Sequence, residues 1–174
     1  MSFKRWAFLF SIAALATLLL RAFVFEGIYI ATASMEPTFP IGAHLFLDKL
    51  TLLFREPSRG EIIVFRSPVP PYLDMVKRVI AVPGDIVELK EKKVILNGNP
   101  QDEPYAQHTR QEERLKGDDI GPLTVPAGSF FVLGDNRDES DDSSVWRDQG
   151  TGEAVYFVPQ SQVRGVLRGF YRED

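Results

Sequence analysis

MVKRVIAVPGDIVELKEKKVILNGNP, residues 75–100, decides the fold class. Its apolar runs are four to eight residues long, rich in Val and Ile, and cut by Pro83-Gly84-Asp85 and by Asn97-Gly98-Asn99. Runs of that length between turn residues read as strands, since a helix would need ten or more residues at a 3.6 period. VELKEKKVILNG reads as a hairpin pair, with Asn-Gly-Asn supplying positive φ where the chain leaves the second strand. Similar runs lie on both sides: AHLFLDKL (43–50), GEIIVF (60–65), SFFVLGD (129–135) and QVRGVLRGF (162–170). The expectation is a mainly β, antiparallel domain. No repeat of 20–50 residues interrupts it. Residues 99–122 have little apolar content and read as a polar surface excursion, a poor place to look for chemistry.

Composition narrows the function. One domain fits in 174 residues. A net charge of −4 with no long basic run argues against nucleic acid as a partner. With no cysteine there is no disulfide, thiol nucleophile or cysteine metal site. The N-terminus carries the strongest segment: after Lys4 and Arg5, residues 6–20 are uncharged, Arg21 interrupts, and AFVF continues. Residues 6–24 with their basic flank just reach the length of a transmembrane helix. A cleavable signal peptide is the competing reading, with ATAS at 31–34 as its cleavage site. Ten mostly bulky residues separate that site from the apolar run, which favours a retained anchor. Lys4, Arg5 and the amino group outweigh Arg21, so residues 1–5 form a cytoplasmic tail and residues 25–174 lie outside.

Two residues stand out in this frame. Ser34 follows the extended run IYIATA and precedes Met-Glu-Pro. It reads as a turn serine or helix N-cap, though Pro37 stands where a capping box wants Glu or Gln. Lys77 sits inside MVKRVIAV, on the strand face of Met75, Val79 and Ala81. Either its ammonium snorkels from an edge strand, or the amine is desolvated. Lowering a lysine pKa from about 10.4 to near 8 needs roughly 3 kcal/mol against the charged form, within reach of burial. A neutral lysine can deprotonate a serine.

Other chemistries fit poorly. Only His44 and His108 exist, and His108 lies in the polar excursion. A Ser-His-Asp triad would rest on His44, which reads as a half-buried strand residue, and two distant histidines do not make a zinc site. GDNRDESDDSSVW (134–146) fails as a calcium loop: a register from Asp138 puts Ser143 at the glycine position and Gln149 at the bidentate glutamate. It reads instead as a self-bonded loop, with Arg137 able to pair Asp135, Asp138 or Asp142 and with Ser140 or Ser143 held to orient another side chain.

SMEPT (34–38), GEIIVF (60–65), KRVIAVPGD (77–85) and GDNRDESDDS (134–143), in that order after one apolar helix, resemble the bacterial type I signal peptidases. The resemblance runs from about residue 21 to the C-terminus, and KRVIAVPGD with GDNRD is its most specific part. It implies Ser34 as nucleophile and Lys77 as general base, with no cofactor and no metal. It also implies an oxyanion hole from the Ser34 N–H and the Thr32 hydroxyl, a lysine-orienting role for Ser140, and an ion-paired scaffold of Asp142 and Arg137. Ile30-Ala31-Thr32-Ala33 departs from the family's Ile-Pro-Ser-Gly, and Ser144 stands where an arginine is common.

The same resemblance implies cleavage after A-x-A sites of exported preproteins at the outer face of the bacterial cytoplasmic membrane, by a monomer. The substrate would add a strand to a groove walled by Ile30, Ala31, Ala33, Met75 and Val76. KLTLLFREP and SPVPPYLDM could rest on the lipid bilayer or simply pack. A processing enzyme dedicated to one substrate, such as a conjugative pilin, is the neighbouring reading. A catalytically silent tethered domain is the remote one.

Overall fold

A computed structural model describes residues 3–23 and 25–171. Residues 1–2 of the expected tail, residue 24 of the expected anchor and residues 172–174 lie outside it. One helix, α1 (Phe3–Phe23), leads the chain and takes in Lys4 and Arg5. Among the described residues no helix is long and apolar enough to cross a membrane. A single N-terminal helix is therefore shown, and a span is not.

The apolar runs become strands: β1 (Phe25–Tyr29), β2 (His44–Asp48), β3 (Ile62–Arg66), β4 (Asp74–Ala81), β5 (Ile86–Lys90), β6 (Lys93–Leu96), β7 (Asn99–Pro100), β8 (Ile120–Thr124), β9 (Ser129–Leu133), β10 (Val158–Pro159) and β11 (Val163–Tyr171). Seven form one sheet in the order β1-β2-β11-β3-β4-β9-β10, and four form a smaller sheet, β7-β6-β5-β8. Every pairing is antiparallel.

The continuous apolar run of β9 is explained by burial on both faces. Phe130 and Val132 enter a core with Ile63, Phe65, Val79 and Trp146. Phe131 and Leu133 enter a second core with Val87, Leu89, Val94 and Leu96 of the small sheet. A strand covered on both faces has no solvent side to alternate with. Simple alternation holds along β4 as far as Val79; a bulge between Val79 and Ala81 then turns Ile80 and Ala81 together into the second core.

The hairpin of β5 and β6 is present, and Asn97 and Gly98 at its exit have φ of 52° and 80°. Its own turn is less legible. Glu91 and Lys92, with φ of 49° and 67°, are not residues that favour the left-handed region. They are held there by neighbours: Glu91 N–H donates to Asp119 Oδ1 at 3.0 Å and Lys92 N–H to the Asp118 carbonyl at 3.2 Å.

Those neighbours belong to the polar stretch 99–122, and here the expectation needs correcting. The stretch supplies strands β7 and β8 at its ends, and its middle packs against the acidic loop 134–143. Glu103 meets Arg137, Arg110 and His108 meet Asp138, and Gln107 bridges to Asn136. Its polarity reflects buried ion pairing as well as solvent.

Candidate active site

Ser34 lies in a single 3-10 turn, Ala33–Met35, that ends the extended run after β1. It is not the cap; Thr32 precedes the turn with extended φ and ψ and makes no capping bond. Ile30 is pinned by main-chain bonds with Ala43 and Gly42, and Met35 and Phe39 bury beneath the turn. The Ser34 side chain is thereby held at the sheet surface beside β4.

Lys77 reaches it from β4. Its Nζ donates to Ser34 Oγ at 2.8 Å, and the residue is only 3% exposed. Burial, the largest influence, pulls the amine below its ordinary 10.5; the carboxylates of Asp142, Asp141 and Asp135 oppose this and do not outweigh it. Of the two readings of a lysine on an apolar strand, snorkelling and desolvation, the geometry has the second. Thr32 Oγ1 stands 3.3 Å from Ser34 Oγ.

The acidic loop clamps the Ser34 turn through that turn's main chain. Asn136 donates its backbone N–H to the Ser34 carbonyl at 3.1 Å and its side-chain amide to the Ala33 carbonyl at 3.2 Å. Asp142, buried, accepts the N–H of Gly134 at 2.9 Å on one oxygen. Its other oxygen takes the N–H of Ser144 at 3.0 Å and the Ser144 hydroxyl at 2.7 Å. Ser143 is committed elsewhere, exchanging bonds with the β9 backbone at Val132.

The loop's ion pairs differ from expectation. Arg137 pairs with none of Asp135, Asp138 and Asp142; it donates to Glu103 at 2.8 Å and to the Gly134 carbonyl at 3.1 Å. Each aspartate already has other partners. Arg78 holds Asp135 with two bonds of 2.8 and 2.6 Å, joined by Thr38 at 2.5 Å. For Asp138, burial would raise the carboxyl, but the Arg110 N–H, Lys92 and His108 hold it below the usual carboxylate range. Ser140 also differs. Its hydroxyl is buried with no hydrogen-bond partner among the described residues, packed against Gly134 rather than bonded to Lys77. His44 lies in β2 between the rings of Tyr29 and Tyr171, a strand residue as its flanks imply.

Beside the pair runs a groove of about 210 Å³. Ile30, Ala31, Met75 and Val76 line it, as do Tyr29, Thr32 and Leu73; Ala33 does not. Two strand edges open onto it. β1 is the edge strand of the large sheet. β4 is paired to β3 from Asp74, but β9 covers its other side only from Arg78. Over residues 74–77 that other side is unpaired among the described residues, so its main chain is open to an added strand.

A family model described as signal peptidase, peptidase S26, matches residues 3–171. The chain is 36% identical over 174 residues to signal peptidase I of Bacillus licheniformis, spanning 94% of this chain and 92% of that protein. Identity to signal peptidase I P of Bacillus subtilis subsp. natto is also 36%, over the same shares. For signal peptidase I T of Bacillus subtilis strain 168 it is 34%, over 94% of this chain and 89% of that one.

Proposed function

Because the chain belongs to the signal peptidase, peptidase S26, family and is a serine peptidase acting on signal peptides, we propose that Ser34 is its nucleophile and Lys77 its general base. The observation that carries this is the buried amine 2.8 Å from the serine oxygen. A serine needs a base within hydrogen-bond reach, and a lysine serves only when neutral. Burial shifts the amine toward that form.

The reaction follows. Lys77 Nζ takes the Ser34 proton as Oγ attacks the scissile carbonyl. The oxyanion that develops is bound by the Ser34 N–H and the Thr32 hydroxyl, donors each worth about 10²–10³ in rate. The Lys77 ammonium then protonates the leaving amine, which departs as the mature protein's N-terminus. Water, deprotonated by Lys77, attacks the Ser34 ester, and the Lys77 ammonium returns that proton to Ser34 Oγ as the signal peptide leaves. Asp142 and Arg137 position the loop beside Lys77 by bonding the N–H and the carbonyl of Gly134.

The substrate is an exported preprotein with an A-x-A site, laid as a strand between residues 30–33 and 74–77. The two open strand edges support this, since main-chain bonds accept any sequence while shallow pockets select small side chains. We read α1 as the membrane anchor, N-terminus in the cytoplasm, with a monomeric catalytic domain from residue 25 onward outside. Leu53, Phe54, Tyr72 and Leu73 are exposed apolar residues that suit a lipid surface.

The test is cleavage of a purified exported precursor by the full chain in detergent with lipid, products read by mass spectrometry. One cut after A-x-A, lost in Ser34→Ala and in Lys77→Ala, is the expected result. Cleavage persisting in either variant removes that residue from its role.

A further inference from the structure

The groove beside Ser34 is apolar apart from its two ends. Lys77 stands at one; the other charged side chain lining it is Asp74, among the described residues. Asp74 opens β4, three residues before Lys77, about 10 Å along the strand. Tyr29 and Leu73, both exposed, line the same groove.

Two guanidinium groups lie nearby. Arg164 pairs with Asp74 at 3.1 Å, and Arg66 is its cross-strand neighbour. Neither arginine lines the groove, so the charge facing a substrate there is the carboxylate. Both partners of the Asp74–Arg164 pair are more than 40% exposed, and an exposed pair is held weakly enough to exchange for an incoming charge. Apolar walls strengthen the field that such a charge projects along a groove.

We propose that Asp74 is a specificity-determining residue, favouring basic or neutral over acidic side chains at the fourth or fifth substrate residue before the cut. This rests on the groove and nucleophile of the proposed function. A substrate strand rises at the same 3.3 Å per residue as β4, so a residue three or four positions upstream of the scissile one comes level with Asp74.

The experiment uses the full chain in detergent with lipid and a set of synthetic A-x-A peptides carrying Lys, Gln or Glu at the fourth or the fifth residue before the cut. At low ionic strength kcat/KM for the Lys peptide should exceed that for the Glu peptide by about 2–5-fold at one of these positions, and the ratio should shrink with added salt. Asp74→Asn should bring the ratio close to one. Arg164→Gln, which frees the carboxylate, should raise it. Equal rates in the wild type, a faster Glu peptide, or an unchanged ratio in Asp74→Asn would each overturn the inference while leaving the nucleophile in place. Failure to cleave even the Gln peptide would overturn the proposed function and this inference with it.

Discussion

Asn136 donates its backbone N–H to the carbonyl oxygen of Ser34 at 3.1 Å. The acidic loop thus holds the serine by its main chain, 102 residues away in sequence, while Lys77 contacts it by the side chain. The placing of the Ser34 backbone depends on a loop distant in sequence.

Gly134 shows how close that approach is. A Cβ there would meet Ser140 Cβ at 2.6 Å and also press on Ser140 Oγ and the Ser34 carbonyl. The last of these is backbone, which cannot rotate away. Gly134→Ala should therefore lower kcat by about 100-fold or more, since misplacement by about 1 Å carries that cost, with every catalytic group still present. Cleavage within a few-fold of wild type would mean that the loop yields and does not set the serine's position.

Lys77 should show opposite effects on activity and stability. Lys77→Arg should be inactive, because a guanidinium stays protonated. Lys77→Met should also be inactive, yet more stable by roughly 1–2 kcal/mol at neutral pH, since it removes a desolvated amine. The linkage sign agrees: the folded pKa is lowered, so between it and 10.5 the unfolded chain holds the extra proton. Stability from this group is greatest above 10.5 and falls as pH drops through the lowered value. A urea titration in which Lys77→Met is clearly less stable would argue against burial as the main influence.

The pH profile of cleavage reads the same group. Activity should rise with pH as the amine loses its proton. Asp141, exposed and next to Asp142, is one of three carboxylates that raise the Lys77 pKa. Asp141→Asn should move the acid limb of kcat/KM to lower pH. A limb that stays put, or moves up, would show that this carboxylate does not act on the base.

The strands and the candidate pair Ser34 and Lys77 stand out in the sequence because each has a local cause. Apolar runs between turn residues give β2, β3, β4, β9 and β11, and a lone lysine in an apolar run signals Lys77. The supports were not legible, because their causes are distant. Nothing local to Glu103 says that it meets Arg137 across 34 residues. Asp142 has two neighbouring N–H groups and a serine hydroxyl as partners, which a charge-pairing argument overlooks. Positive φ at Glu91 and Lys92 is likewise imposed by Asp118 and Asp119.

Glu103 gives the polar stretch a measurable role. Its side chain and that of Arg137 are 10% and 7% exposed, so the pair is nearly dry. Glu103→Gln should cost about 1.5–3 kcal/mol of stability and lower kcat more than it raises KM, because the loop it braces orients the dyad without binding substrate. A pure KM effect would place Glu103 in substrate binding instead.

Asp135 anchors the loop to β4. Its carboxylate accepts two bonds from Arg78 and one from Thr38, and it is fully buried, with Arg78 itself resting 3.9 Å from the centre of the Tyr105 ring. Asp135→Asn keeps the shape but sets an amide N–H₂ against a half-buried guanidinium that keeps only the Gly60 carbonyl as acceptor, so unfolding in urea should register a loss of about 1.5–3 kcal/mol. Replacing both partners, Arg78→Met with Asp135→Leu, leaves no unpaired charge and should recover much of that loss. Cleavage should remain low in the double variant, since Thr38 then lacks its acceptor and the segment after Ser34 loses its tie to the loop. A double variant as unstable as Asp135→Asn alone would show that packing around Tyr105, rather than the unpaired charge, sets the cost.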